Sequence, residues 1–195
     1  MRTATFTRTT KETDIRLTVC LDGSGKTELN TGVGFFDHML NALSRFAQFN
    51  LALTCVGDLQ VDAHHTVEDA GICLGKAIRE ALGDRVGIRR VGSAYMPMDE
   101  ALAFAAIDIS GRPYLAWNAE FTAPMCGTMD TQLAEEFFRA VTMNAGLTVH
   151  MNLLAGRNDH HRMEALFKAF GLALRDAVRV DANIQGVLST KGALD

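Results

Sequence analysis

The most restrictive feature of the sequence is a five-residue pattern that occurs twice. His64-His65-Thr66-Val67-Glu68 recurs as His160-His161-Arg162-Met163-Glu164, with both histidines and the glutamate displaced by 96 residues (160 − 64). The following residues also correspond at this offset, because AIREAL at 77–82 matches ALRDAV at 173–178. Apolar residues in both stretches have the three- and four-residue spacing of a buried helical stripe. The repetition therefore predicts a duplicated half-domain.

The segments before each pattern predict that every half carries strands, then a helix, a strand and a second helix. In the first half we expect strands at 4–10, 15–21 and 51–55, a helix from Phe35, and a short extended piece between Gly57 and Asp62. In the second half we expect strands at 101–109, 114–121 and 147–151, and a helix at about 131–145. The fold class is α+β, with residues 1–195 forming a single domain of two half-repeats, about 1–92 and 93–195.

The first helices of the two halves align at an offset of 98 rather than 96 residues, and this places Glu136 opposite His38 (136 − 38). Loops tolerate insertions better than helices or strands do. We therefore expect the two-residue difference in length between the halves to lie in the loop between the first helix and the following strand.

Composition limits the classes of partner. A net charge of −4 and a pI near 5.8 give no basic surface for nucleic acid or anionic membrane. No stretch approaches the roughly 20 apolar residues of a membrane span, and no signal-peptide pattern begins the sequence. The four cysteines are scattered, as is typical of reduced thiols. We expect a cytoplasmic protein without nucleic-acid or membrane partners.

Each five-residue pattern places a histidine and a glutamate four residues apart, on one edge of a helix. Imidazole and carboxylate suit Mn, Fe, Zn, Co and Ni, whereas a solvated helix start is the alternative for a single copy. The adjacent histidines diverge by about 100° around the helix axis. They are therefore expected to serve different ions and to meet ligands from another copy of the chain, which predicts an oligomer.

Four motifs occur in order along the chain: GFFDHML at 34–40, DAHHTVED at 62–69, NDHH at 158–161 with Glu164 and FKAF at 167–170, and STKG at 189–192. Together they resemble the imidazoleglycerol-phosphate dehydratase family, and the resemblance runs from about Thr10 to Gly192. It implies half-domains that contain βαβ units, similar to the second domain of ribosomal protein S5, with helices packed on one face of each sheet. It also implies a homo-oligomer, a shell of twenty-four subunits, with two Mn²⁺ ions per active site.

The resemblance also assigns residues. The implied metal ligands are His38, His64, His65, Glu68, His160, His161 and Glu164, together with Glu136, where many members of the family carry histidine. The implied substrate-binding residues are Glu12, Arg90, Arg112, Lys168, Thr190 and Lys191. The candidates for proton transfer are Glu12, Glu68 and Glu164, and the sequence does not decide between them.

The implied reaction is Mn²⁺-dependent loss of water from imidazoleglycerol phosphate, which gives imidazoleacetol phosphate in histidine biosynthesis. Two other classes use the same histidines and carboxylates. A metallohydrolase would release inorganic phosphate, and a metal-storage shell would turn over nothing. Without the resemblance, Arg90 and Arg112 are ordinary loop cations and Glu12 is a solvated turn charge. Glu136 is then a solvated charge at a helix start, with His150 or water taking the ligand position.

Overall fold

The computed structural model describes residues 1–194 and consists of two halves with the same order of elements, except for one additional hairpin in the second half. The elements of the first half are β1 (Thr3–Thr9), β2 (Thr13–Cys20), β3 (Thr27–Asn30), α1 (Gly34–Ala47), β4 (Asn50–Gly57) and α2 (His64–Leu82). Those of the second half are β5 (Val91–Met98), β6 (Ala101–Asp108), β7 (Tyr114–Asn118), β8 (Met125–Cys126), β9 (Met129–Asp130), α3 (Leu133–Ala145), β10 (Thr148–Ala155) and α4 (Asp159–Val178). The hairpin β8–β9 has no counterpart in the first half.

The two four-stranded sheets have the same topology. Their strand orders are β1-β2-β4-β3 and β5-β6-β10-β7, and in each sheet the last pair is parallel while the others are antiparallel. The alternating apolar residues of the strands face the helices, as shown by buried Leu51 and Leu53 in β4 and buried Val149 and Met151 in β10. The predicted α+β fold with internal duplication is confirmed.

One detail of the alignment was wrong, namely the position of the two-residue difference. Two residues separate the first helix from the next strand in both halves, 48–49 and 146–147. Both connections begin with a left-handed residue, Gln48 (φ 57°) and Gly146 (φ 70°), and so short a turn has no room for an insertion. The difference follows the strand instead, with six residues (58–63) before His64 and four (156–159) before His160.

The strand predictions also needed correction. Residues 58–62 form turns rather than an extended piece, and β7 ends at Asn118 rather than at residue 121. Strands β3, β5, β8 and β9 were not predicted. β3 has four residues and β8 and β9 have two each, too few for a period-two pattern, and β5 contains Gly92 and Pro97, which are uncommon in strands.

The helices of one half pack against those of the other, α1 on α4 and α2 on α3. Phe137 of α3 joins this interior, since its ring stacks on Phe167 at 5.3 Å and meets the edge of Phe36 at 5.3 Å between centroids. The four cysteines are buried and unbridged. Within residues 1–194, no helix is both long and apolar enough to cross a membrane.

Both helix crossings depend on a glycine. A Cβ on Gly75 of α2 would lie 2.6 Å from the carbonyl oxygen of Val141 in α3, and one on Gly171 of α4 would lie 2.5 Å from that of Leu43 in α1. These contacts correspond in the two halves, because Gly75 and Gly171 are 96 residues apart and Leu43 and Val141 are 98 apart. The backbones therefore touch only because both glycines lack a side chain.

We expect Gly75→Ala and Gly171→Ala to destabilise the protein by about 1–3 kcal/mol, because the added methyl group must push two helix backbones apart. This cost exceeds the gain of about 1 kcal/mol that alanine brings to a helix. Gly34→Ala is the control, since a Cβ there meets no atom within 4 Å. Denaturant unfolding measures the free energy of unfolding of the three variants. Equal values for all three would show that both helix crossings can accommodate a methyl group.

Candidate metal centre and anion site

Two imidazoles and a carboxylate meet where α1 crosses α4. The Nε2 atoms of His38 and His160 lie 3.4 Å and 3.2 Å from Oε2 of Glu164. Among residues 1–194, this is the one group of three potential metal-ligating side chains whose atoms all lie within 4.8 Å of one another. His160 and Glu164 share a face of α4 because they are four residues apart, and the helix crossing adds His38.

The start of α4 is fixed by its own cap. The side chain of Asn158 accepts hydrogen bonds from the backbone N–H groups of His160 (3.0 Å) and His161 (3.3 Å). Phe35 packs edge-on against the His160 ring, with centroids 5.1 Å apart. The cap and the aromatic contact together hold His160 over Glu164.

Glu164 is buried and ion-paired. Its Oε1 lies 2.5 Å from Nζ of Lys168, one helical turn further along α4. Burial alone would raise the pKa of Glu164, but the hydrogen bond and charge of Lys168, followed by His38, outweigh burial and lower it. The carboxylate is therefore ionised at neutral pH and suited to bind a cation. Lys168, which the resemblance assigns to the substrate, lies at this cluster.

The corresponding residues of the first half do not form so compact a group. His64 Nε2 lies 3.7 Å from Glu68 Oε2, and the Glu68 side chain is 44% exposed, against 10% for Glu164. Glu136 lines the same cavity as His64, a space of about 680 Å³. The carboxylate of Glu136 is 3.7 Å from Nε of Arg139. The repeat thus brings Glu136 to the cavity of His64.

The structure excludes one alternative within the chain, in which His150 takes the ligand position instead of Glu136. His150 lies on β10 between the buried residues Val149 and Met151, so its side chain points to the opposite face of the sheet from the helices. There its ring is 6.4 Å from that of Tyr114.

The second histidine of each pair points away from the first. The rings of His64 and His65 are 6.0 Å apart at 85°, and those of His160 and His161 are 6.2 Å apart at 78°. The partners differ as well, because His64 faces Glu68 while His65 faces Asp58, and His160 faces Glu164 while His161 faces Glu100, so the predicted divergence is observed. Glu12 lies near one of these rings, with Oε1 3.7 Å from Nε2 of His65.

Two carboxylates that the sequence reasoning missed contact these histidines. Nδ1 of His65 is 3.0 Å from Asp58, and Nδ1 of His161 is 2.8 Å from Glu100. Each hydrogen bond raises the pKa of its histidine above the usual value. The pKa of Glu100 is lowered by the backbone N–H of Asn158, then by His161 and the backbone N–H of Arg157. In the sequence, Asp58 and Glu100 are each simply an acidic residue in a turn, and acidic residues are common in turns that have no functional role.

A second cavity, of about 610 Å³, is lined by four of the predicted substrate-binding residues, Arg90, Arg112, Thr190 and Lys191, among others. Arg90 forms a two-pronged ion pair with Asp108 (2.6 and 2.9 Å), which raises its pKa, and donates to the carbonyl of Leu188. Arg90 has a left-handed backbone (φ 66°), fixed by hydrogen bonds of its N–H and C=O groups. The side chains therefore form a positively charged pocket suited to an anion.

The duplicated α+β fold and the histidine–carboxylate cluster define the class, a domain built to place candidate metal ligands at helix crossings between its halves. A family model described as imidazoleglycerol-phosphate dehydratase matches residues 31–174. The chain belongs to this family, which comprises hydro-lyases of histidine biosynthesis. The resemblance stated from the motifs is confirmed.

Relatives and solved structures agree with this assignment. The imidazoleglycerol-phosphate dehydratases of Ruminiclostridium cellulolyticum and Acetivibrio thermocellus are 56% and 58% identical, over 100% and 96% of both chains respectively. The crystal structure of the Staphylococcus aureus dehydratase has a TM-score of 0.84 at 41% identity, covering 92% of this chain and 99% of its own. That of IGPD from Pyrococcus furiosus in complex with (S)-C348 has a TM-score of 0.83 at 38% identity, covering 97% and 100%.

For Glu136 we expect that Glu136→Gln lowers the amount of bound Mn²⁺ and that Glu136→His largely restores it, because an imidazole occupies the matching position at His38. Glu135→Gln is the matched control, since Glu135 also pairs with Arg139 but does not line the cavity. Metal analysis after gel filtration measures the content. Full occupancy in Glu136→Gln, beside a depleted His38→Ala, would remove Glu136 from the ligands.

Proposed function

We propose that the chain is a Mn²⁺-dependent dehydratase that converts imidazoleglycerol phosphate to imidazoleacetol phosphate and water, with two ions per active site. The observation that carries the proposal is the cluster of His38, His160 and Glu164, in a chain that belongs to a dehydratase family. The four buried, unbridged cysteines agree with a reducing compartment, and we place the protein in the cytoplasm.

The donor set fits Mn²⁺. The cluster offers two imidazole nitrogens and an ionised carboxylate and contains no thiolate, a combination that suits a borderline-hard divalent ion. When bound, such an ion makes a coordinated imidazole N–H of the substrate more acidic. His64, Glu68 and Glu136 would hold the second ion at the equivalent position. The divergent His65 and His161 would complete sites on neighbouring copies.

The spread of these groups over one chain supports an oligomeric site. Lys168 lies with Glu164 at the histidine cluster, whereas Arg90 and Arg112 line the separate anion pocket. One small substrate needs its imidazole and its phosphate bound together. We therefore propose that several copies of the chain, in a homo-oligomer of twenty-four subunits, contribute to each active site.

The reaction removes a proton from C2 of the substrate and expels the C3 hydroxyl, so it requires a base and an acid. Glu164 is paired with Lys168 and two histidines, an arrangement that favours a ligand over a proton donor. The Glu12 carboxylate is half-exposed and lies beside Nε2 of His65. We assign proton transfer to Glu12 first, and Glu68 and Glu164 to holding the ions.

The anion pocket would bind the phosphate. Arg90 is held by Asp108 and the carbonyl of Leu188, so the position of its guanidinium at the pocket wall is fixed. Arg112, Thr190 and Lys191 line the same space and bring two further cations and a hydroxyl. Phosphate accepts several such charge-assisted hydrogen bonds at once.

We expect chelation to abolish formation of imidazoleacetol phosphate and to loosen the assembly, because ligands from different copies would share each ion. Added Mn²⁺ should restore both. Product formation and light scattering after gel filtration are measured on the same samples. Release of inorganic phosphate would indicate a metallohydrolase, and Mn²⁺ binding without turnover would indicate a storage protein. An intact assembly in fully metal-free protein would contradict shared sites.

We expect Arg112→Ala to lower kcat/KM at least about tenfold with unchanged metal content, since a charge-assisted hydrogen bond contributes roughly 1.5–3 kcal/mol. Arg89→Ala is the control, because Arg89 pairs with Asp176 and does not line the anion pocket. Steady-state kinetics of both variants make the comparison. If Arg112→Ala keeps the efficiency of Arg89→Ala, Arg112 does not bind the phosphate.

A further inference from the structure

The second histidine of each pair uses its two ring nitrogens differently. Nδ1 of His65 faces the Asp58 carboxylate and Nδ1 of His161 faces the Glu100 carboxylate, at 3.0 and 2.8 Å. An ionised carboxylate can only accept a hydrogen bond, so the proton of the neutral ring must lie on Nδ1. The lone pair of Nε2 is then left for a metal.

The first histidine of each pair has the opposite arrangement. His64 and His160 turn Nε2 towards Glu68 and Glu164 of their own helices, at 3.7 and 3.2 Å. A loop carboxylate therefore orients only the outward-pointing histidine of each pair. This histidine points away from the glutamate of its own helix, so the helix geometry alone does not direct it to that glutamate.

The duplication does not explain the two carboxylates. Glu100 directly precedes β6 and corresponds to Glu12, which directly precedes β2. Asp58 directly follows β4, and the residue that directly follows β10 is Gly156. The halves thus make the same contact to Nδ1 from different loops. Inheritance from a common half-domain would have placed both carboxylates at corresponding positions.

Both loop carboxylates are held in place. Oε1 of Glu100 accepts hydrogen bonds from the backbone N–H groups of Arg157 (3.0 Å) and Asn158 (2.7 Å), which leaves Oε2 for His161. The backbone of Asp58 is fixed on both sides, because its N–H donates to the backbone carbonyl of Glu12 (3.0 Å) and its C=O accepts from the backbone N–H of Val61 (2.8 Å). His161 therefore rests against a fixed carboxylate, and His65 rests against a carboxylate on a fixed backbone.

We propose that Asp58 and Glu100 are positioning residues that fix the ring orientation and tautomer of His65 and His161, so that each presents Nε2 to an ion. The proposal rests on the proposed function, in which these histidines are metal ligands. Loss of such a carboxylate partner typically weakens metal binding by about 10–100-fold.

Glu100→Gln gives a sharp test. The two backbone N–H groups fix the amide oxygen of this variant, so its NH₂ group must face His161. His161 must then accept at Nδ1 and carry its proton on Nε2, where it blocks metal binding. We expect Mn²⁺ affinity to fall about 10–100-fold, and Asp58→Ala, which removes the partner of Nδ1 of His65, to weaken binding likewise. In metal-free protein labelled with ¹⁵N-histidine, at a pH where the ring is neutral, the His161 signals of Glu100→Gln should change to the other tautomer.

Asp99→Asn is the charge-matched control, since Asp99 is 75% exposed and faces Nε2 of His161 at 3.8 Å rather than Nδ1. Unfolding curves verify that the variants are folded. Folded Glu100→Gln and Asp58→Ala with the Mn²⁺ affinity of Asp99→Asn would overturn the positioning role. A wild-type protein that binds Mn²⁺ but forms no product would overturn the proposed function alone, and one that binds no Mn²⁺ would overturn both.

Discussion

The close contact between helices from different halves is the interaction on which the rest of the structure depends. Gly171 lets α4 touch the backbone of α1, and Gly75 lets α2 touch that of α3. Neither half can bury the inner faces of its helices by itself, so the halves form one interior. The crossing of α1 with α4 also brings His38 to His160, and the candidate metal cluster is thus a product of core packing.

The two crossings are similar in geometry but different in charge. At one of them buried Glu164 pairs with Lys168, as a buried carboxylate requires a nearby partner. The residue corresponding to Lys168 in the first half is Ile72 (168 − 96), and Glu68 there is considerably exposed. Glu136 corresponds to His38 and lines the cavity of His64, where its carboxylate lies 3.7 Å from Nε of Arg139. The residues around His64 therefore include one more carboxylate and have no lysine at the position of Lys168.

Loop carboxylates contact the histidines that the helices leave pointing outward. A helix aims one histidine of each pair at its own glutamate and turns the next one outward by about 100°. Asp58 and Glu100 approach the outward rings from loops at the ends of strands, and Glu100 also joins the start of α4 to the turn before β6. The first turns of α2 and α4 thus each carry potential metal-ligating nitrogens on two sides, one towards the glutamate of the helix and one towards the loop carboxylate.

The sequence by itself determined the duplication, the α+β class, the divergence of the paired histidines and the family, because these follow from spacing along the chain. Only the tertiary structure decided that α1 packs on α4, that the extra residues follow β4, and that Asp58 and Glu100 contact the histidines. It also decided that Arg90 and Arg112 line a cavity apart from the helical pair of Glu164 and Lys168. Spacing reports which face of an element is buried, whereas contacts between distant segments depend on how those faces pack, and this leaves no periodic signal in the sequence.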